Sequence, residues 1–181
     1  MSAGQVAALY VRGDSVYRQL GVDCWDIERD ARRYSGPGPV VAHPPCRAWG
    51  RLRAFAKPRH DEKAAGLRAL WQVRRFGGVL EHPASSLLFM AGGGLRPGAG
   101  RDAFGGWVLP VLQQDFGHRA PKATWLYIVG CDPADIPGFA LRLGVAPGRV
   151  SSMGKAERER TPEAFAKWLV DLAGRCAGGA A

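Results

Sequence analysis

Short apolar strands alternate along this chain with helical stretches, and that alternation constrains the fold more than any other feature. Val6–Val11 and Val22–Asp26 read as core strands, separated by a short helix that Asp14-Ser15 caps and that runs to Leu20. A turn at Ser35-Gly36-Pro37-Gly38-Pro39 leads into a third strand, Val40–His43. Asp61–Arg75 reads as a helix, because Ala64, Leu67, Leu70 and Trp71 recur at helical spacing and Gly77-Gly78 stop it. Val79–Glu81 follows as a strand, and Thr124–Val129, β-branched and aromatic, is the strongest strand in the chain. Trp107–Gln114 fits a short helix or a strand, and Gly92–Gly106 fits a long glycine-rich loop. Thr161-Pro162-Glu163 starts a last helix, with Thr161 as its cap and Phe165, Leu169 and Leu172 as its apolar stripe. Strands alternating with helices predict an α/β fold, a mostly parallel sheet with helices on both faces, of Rossmann-like type.

In such sheets ligands bind beyond the carboxyl ends of the strands. Three strand ends here carry chemistry. Val40-Val41-Ala42 breaks off at His43-Pro44-Pro45-Cys46, where two prolines fix the backbone and present a thiol at a defined angle. Val79-Leu80 runs into Glu81-His82-Pro83, which puts a carboxyl at a second end. Gln113-Gln114 leads through Gly117-His118-Arg119 and Lys122 into the strand that begins at Thr124. Asp26, Cys46, Glu81 and the end of the Thr124 strand are expected on one edge. A cysteine is a soft nucleophile once ionised, and Arg47 or Arg51 nearby would favour the thiolate. Such a nucleophile suits addition to C6 of a pyrimidine ring. A carboxyl such as Glu81, its pKa raised by burial, would hold the base edge and supply a proton.

Composition narrows the partners. The chain has 181 residues, enough for one domain with a real core, expected over 1–176 with a flexible tail at 177–181. Net charge is +9 and pI near 9.9, a basic excess that attracts polyanions, nucleic acid first among them. Arg47, Arg51 and Arg53 flank Cys46 within a basic loop that also carries Trp49 and Phe55. No apolar run approaches a membrane span and no signal peptide is read. Four cysteines, Cys24, Cys46, Cys131 and Cys176, without paired spacing favour reduced thiols in a cytoplasm.

These segments carry a resemblance. His43-Pro44-Pro45-Cys46 resembles the Pro-Pro-Cys nucleophile motif of the cytosine-C5 DNA methyltransferases, and Leu80-Glu81-His82-Pro83 resembles their Glu-Asn-Val strand end. Gln114, Arg119 and the strand Leu126–Gly130 are similar to their Gln-x-Arg-x-Arg segment and the strand after it, in the same order over residues 40 to 130. Gly117-His118, Lys122 and Thr124 resemble short phage-encoded members, which implies a bacterial or phage-infected host cytoplasm. The resemblance implies Cys46 as the nucleophile on C6 and Glu81 as the base-edge contact. It implies Pro45, His43, Arg47, Arg51, Arg53, His82, Gln114, His118, Arg119, Lys122 and Thr124 around the base and its phosphates. DNA or a pyrimidine nucleotide would be the substrate, with a protein partner for targeting. S-adenosylmethionine would be the methyl donor, held near Asp14, Asp26 and Glu28. At that position, however, Tyr10–Ser15 keeps one glycine of the family's glycine-rich loop, and the chain leaves no room for a separate target-recognition domain. The alternatives are a different C5 modification by the same nucleophile, as in phage DNA hypermodification, and a non-catalytic nucleic-acid-binding module. A zinc site of His43, Cys46, His82 and His118 matches no standard zinc spacing.

Overall fold

A computed structural model describes residues 5–51, 53–84 and 86–176 of the chain. Six strands form one sheet: β1 (Ala7–Leu9), β2 (Asp23–Trp25), β3 (Val40–Ala42), β4 (Gly78–Pro83), β5 (Trp107–Leu112) and β6 (Ala123–Val129). Their order is β2-β1-β3-β4-β6-β5. The helices are α1 (Val16–Gln19), α2 (Glu62–Phe76), α3 (Leu87–Ala91), α4 (Lys155–Glu159) and α5 (Glu163–Gly174).

Side-chain parity along each strand makes the layers. Leu9, Ala42, Leu80, Tyr127 and Val129 face one way and pack with Ala69, Leu70 and Val73 of α2. Ala8, Val41, Val79, Leu126 and Ile128 face the other way and pack with Phe165, Ala166, Leu169 and Leu172 of α5. Helices therefore cover both faces, as the alternation predicts. Each fully buried leucine among them contributes about 2 kcal/mol by its apolar area.

The expectation of a mostly parallel sheet holds for β2-β1-β3-β4, whose neighbours all pair in parallel. β6 departs from it. It pairs antiparallel with β4 on one side and with β5 on the other, so β5 runs with the first four strands and β6 against them. The reason lies in the connection. A parallel crossover needs a dozen or more residues, usually with a helix, and the link from β5 to β6 is the short stretch 113–122 with one 3-10 turn at Gln113–Phe116. It closes as a hairpin, and the start of β6, not its end, comes to the edge where β1–β5 finish.

Trp107–Leu112 is a strand, which resolves the alternative left by its sequence. α5 begins one residue later than Thr161 as cap would set it: Pro162 occupies the cap position without a side-chain hydrogen bond. The 177–181 tail lies outside the described residues. Among the described residues, no helix is long and apolar enough to cross a membrane.

Candidate active site

The hairpin brings three strand ends and one strand start together. His43 to Cys46 follow β3, Glu81 lies near the end of β4, Gln113 follows β5, and Thr124 opens β6 opposite Pro83. Parity puts His43, Glu81 and Thr124 on the α5 side of the sheet, in line with Val41, Val79 and Leu126.

Glu81 is the hub. Its Oε2 lies 2.9 Å from His43 Nδ1 and its Oε1 3.0 Å from Gln113 Nε2. The other histidine nitrogen, Nε2, is 2.8 Å from the hydroxyl of buried Tyr17 on α1. An ionised carboxylate only accepts, so His43 donates to it from Nδ1, and its Nε2 shares a hydrogen bond with the Tyr17 hydroxyl. Gln113 donates also to Thr124 Oγ1 at 2.9 Å, leaving its own Oε1 buried without a partner. Burial alone would push the Glu81 carboxyl up. The His43 hydrogen bond and the charge of Lys122 outweigh it and hold the pKa down to about 2. This reverses the expected shift: Glu81 is a fixed carboxylate acceptor and not a proton donor at neutral pH.

Cys46 stays exposed. Desolvation by the surrounding protein, then the charge of Glu81, holds its thiol above the ordinary pKa, and Lys122 pulls the other way. None of the arginines expected to activate it is among the charges that set its shift. Arg47 is bound to Glu62, whose side chain is fully buried. Arg53 reaches the Gly50 carbonyl, and Arg51 stands exposed. Lys122 is the cation that acts on both Cys46 and Glu81.

Other expected contacts lie elsewhere. His82 follows Glu81, so it points to the opposite face, where it is 1% exposed and meets the Phe89 ring edge-on. Burial lowers its pKa to about 4, and its neutral ring packs beneath the Pro44-Pro45 backbone. Pro45 is half-buried in the nucleophile turn. His118 is buried, with Nδ1 2.8 Å from the Ala120 carbonyl, and shapes the hairpin loop. Arg119 is paired at 2.8 Å with Glu157 of α4. Gln114 makes no side-chain hydrogen bond among the described residues; its neighbour Gln113 takes the place at Glu81. The signal for that exchange was parity, because Gln113 shares the face of Val111. Nothing in the sequence marked Tyr17.

Two of the three residues expected to hold S-adenosylmethionine carry arginine partners. Asp26 accepts from the Glu28 and Arg29 backbone amides through Oδ1 and from Arg18 through Oδ2, which keeps a second lone pair. Asp14 is bound by Arg12 at 2.8 Å, and Arg12 also reaches Glu159. Glu28 is exposed beside this closed cluster. Among the described residues no three His, Cys, Asp or Glu side chains gather as a metal-holding group. Comparison with protein-family models, with curated proteins and with solved structures finds no match for this chain.

Proposed function

We propose that this protein modifies a pyrimidine base at C5 through a covalent adduct of Cys46 with C6. One observation carries the reading: an accessible thiol stands beside a carboxylate held ionised, with one lysine charge reaching both. The parallel block from β2 to β4, with Cys46 and Glu81 at its carboxyl edge, supports a Rossmann-like relation to the catalytic half of a cytosine-C5 methyltransferase.

Cys46 loses its proton to bulk water, and the thiolate forms the Sγ–C6 bond. The C5=C6 electron pair moves to C5 and into the conjugated carbonyl or imine. Lys122 offsets the charge that develops on the ring. Glu81, fixed as an acceptor by His43, takes an N–H from the base edge: the exocyclic amine of cytosine or the N3–H of a 4-keto pyrimidine. The electron-rich C5 then forms a bond to an electrophile, whose own leaving group departs with its bonding pair. C5 gives its proton to water, and that C–H pair restores C5=C6 as the Sγ–C6 bond breaks and Cys46 leaves as thiolate. The electrophile is the methyl group of S-adenosylmethionine or, as the single glycine of Tyr10–Ser15 favours, that of a different C5 modification. The substrate is DNA or a pyrimidine nucleotide met in a bacterial or phage-infected cytoplasm, and a base within a duplex is flipped out to reach Cys46.

The test is intact-protein mass after incubation with oligonucleotides containing 5-fluorocytosine or 5-fluorouracil. Wild type should gain the mass of the oligonucleotide, and Cys46→Ala should not. A folded wild type that forms no adduct with either base and does not exchange the C5 hydrogen of a cytosine or uracil oligonucleotide with deuterium oxide overturns the reading, because fluorine holds the adduct only once C5 has taken its electrophile.

A further inference from the structure

We propose that Phe55 and the cations around it form a stacking platform for a polynucleotide strand, so that the target base is presented as part of a polymer and not as a free nucleotide. The inference deepens the proposed reaction and rests on it only for the base that reaches Cys46.

Two aromatic rings lie in the basic loop, and the structure separates them. Trp49 is 8% exposed and belongs to the core under α2. Phe55 is 87% exposed and joins neither apolar cluster. Around it Arg51, Arg53, Lys57 and Arg59 occupy alternate positions, all exposed, and no acidic residue occurs from Cys46 to His60. Arg59 is given to Asp61 at 3.2 Å. Arg51, Arg53 and Lys57 face no carboxylate among the described residues. A ring held out in water among free cations matches a strand whose bases offer π faces and whose phosphates offer charge.

The loop is also anchored at the nucleophile. The Trp49 and Gly50 amides both donate to the Cys46 carbonyl, at 3.0 and 2.7 Å, and Arg53 N donates to Gly50 O at 3.1 Å. The Cys46 turn thus leads by hydrogen bonds into the Gly50 turn, and Phe55 lies two residues past Arg53, so one base of a strand stacks on the ring while another meets Cys46. A mononucleotide has no second base to place there.

The experiment is equilibrium binding of a short single-stranded oligodeoxynucleotide, the same sequence as RNA, and the matching mononucleotide, over a series of salt concentrations. Phe55→Ala should weaken oligonucleotide binding roughly 5- to 150-fold with the salt slope unchanged. Phe55→Trp should restore it, and Phe55→Ala should leave mononucleotide binding as it is. Replacing Arg51, Arg53 and Lys57 together with alanine should lower the log–log salt slope by about 2. A loss confined to DNA or to RNA identifies the polymer. Oligonucleotide binding indifferent to Phe55, or mononucleotide binding as tight as that of the strand, overturns the platform. Phe55-dependent binding by a protein that forms no 5-fluoropyrimidine adduct and exchanges no C5 hydrogen keeps the platform and removes the Cys46 chemistry.

Discussion

Cys46 and Glu81 oppose each other electrostatically, and that tension separates nucleophile from acceptor by experiment. Glu81 raises the thiol and Lys122 lowers it. Neutralising the carboxylate as Glu81→Gln should therefore speed alkylation of Cys46 by iodoacetamide at neutral pH, by up to about tenfold for a shift of one pKa unit. Lys122→Met should slow it by a similar factor. For adduct formation on a 5-fluoropyrimidine the Glu81 variant should go the opposite way and lose activity, since the base edge then meets an amide without its fixed charge. A Glu81→Gln protein that slows both reactions, or speeds both, would show that the carboxylate does not act in these two roles. In wild type the alkylation rate should keep rising past the ordinary thiol pKa, because the thiol is held above it. The sequence made Cys46 and Glu81 legible through their strand ends. It did not give the sign of either shift, because burial and Glu81 raise the Cys46 thiol while His43 and Lys122 overcome burial at Glu81, and these meet only in the folded chain.

At the level of elements, two glycines decide how the edge is built. Gly77 and Gly78 have φ of +77° and +114°, and they turn the chain from α2 straight into β4. A Cβ on Gly78 would lie 2.0 Å from the Val40 carbonyl oxygen, which is backbone of the paired strand and has no room to yield. Gly78→Ala should therefore cost more than about 3 kcal/mol in urea unfolding, where alanine for an ordinary strand glycine would gain up to about 1 kcal/mol. An unchanged midpoint would mean that β3 and β4 part without penalty. The helical period and the glycine stop were readable here, as were β1 to β3 from their apolar runs. The direction of β6 was not, because a strand's own residues are the same whichever way it pairs. Only the short connection 113–122 distinguishes hairpin from crossover. α3 was missed for a related reason: Leu87 to Ala91 is an apolar run too short to show a period, started by the Ser86 side chain that accepts from the Leu88 amide.

For the molecule as a whole, the two neighbours on β4 set its response to acid. His82 is buried neutral on the α2 face with a pKa of about 4, and Glu81 is buried ionised on the α5 face with a pKa of about 2. In the unfolded chain they titrate near 6.5 and 4.5. Between pH 6.5 and 4 the unfolded chain binds a proton at His82 that the folded one refuses, so stability falls as pH drops through that window. Glu81 continues the fall from 4.5 to 2, because the unfolded carboxyl protonates while the folded one stays ionised. Each window is worth on the order of 3 kcal/mol. Urea midpoints measured across pH should therefore decline in two overlapping stages. His82→Gln removes the titrating ring and should flatten the upper stage, whereas Glu81→Gln should flatten the lower and, by removing the charge that favours the protonated ring, push the His82 pKa further down. If the decline began only below pH 4.5 in wild type, His82 would have to be charged in the folded protein. The Pro44 and Pro45 backbone carbonyls are what would hold the protons of a charged ring there, against the burial that keeps it neutral.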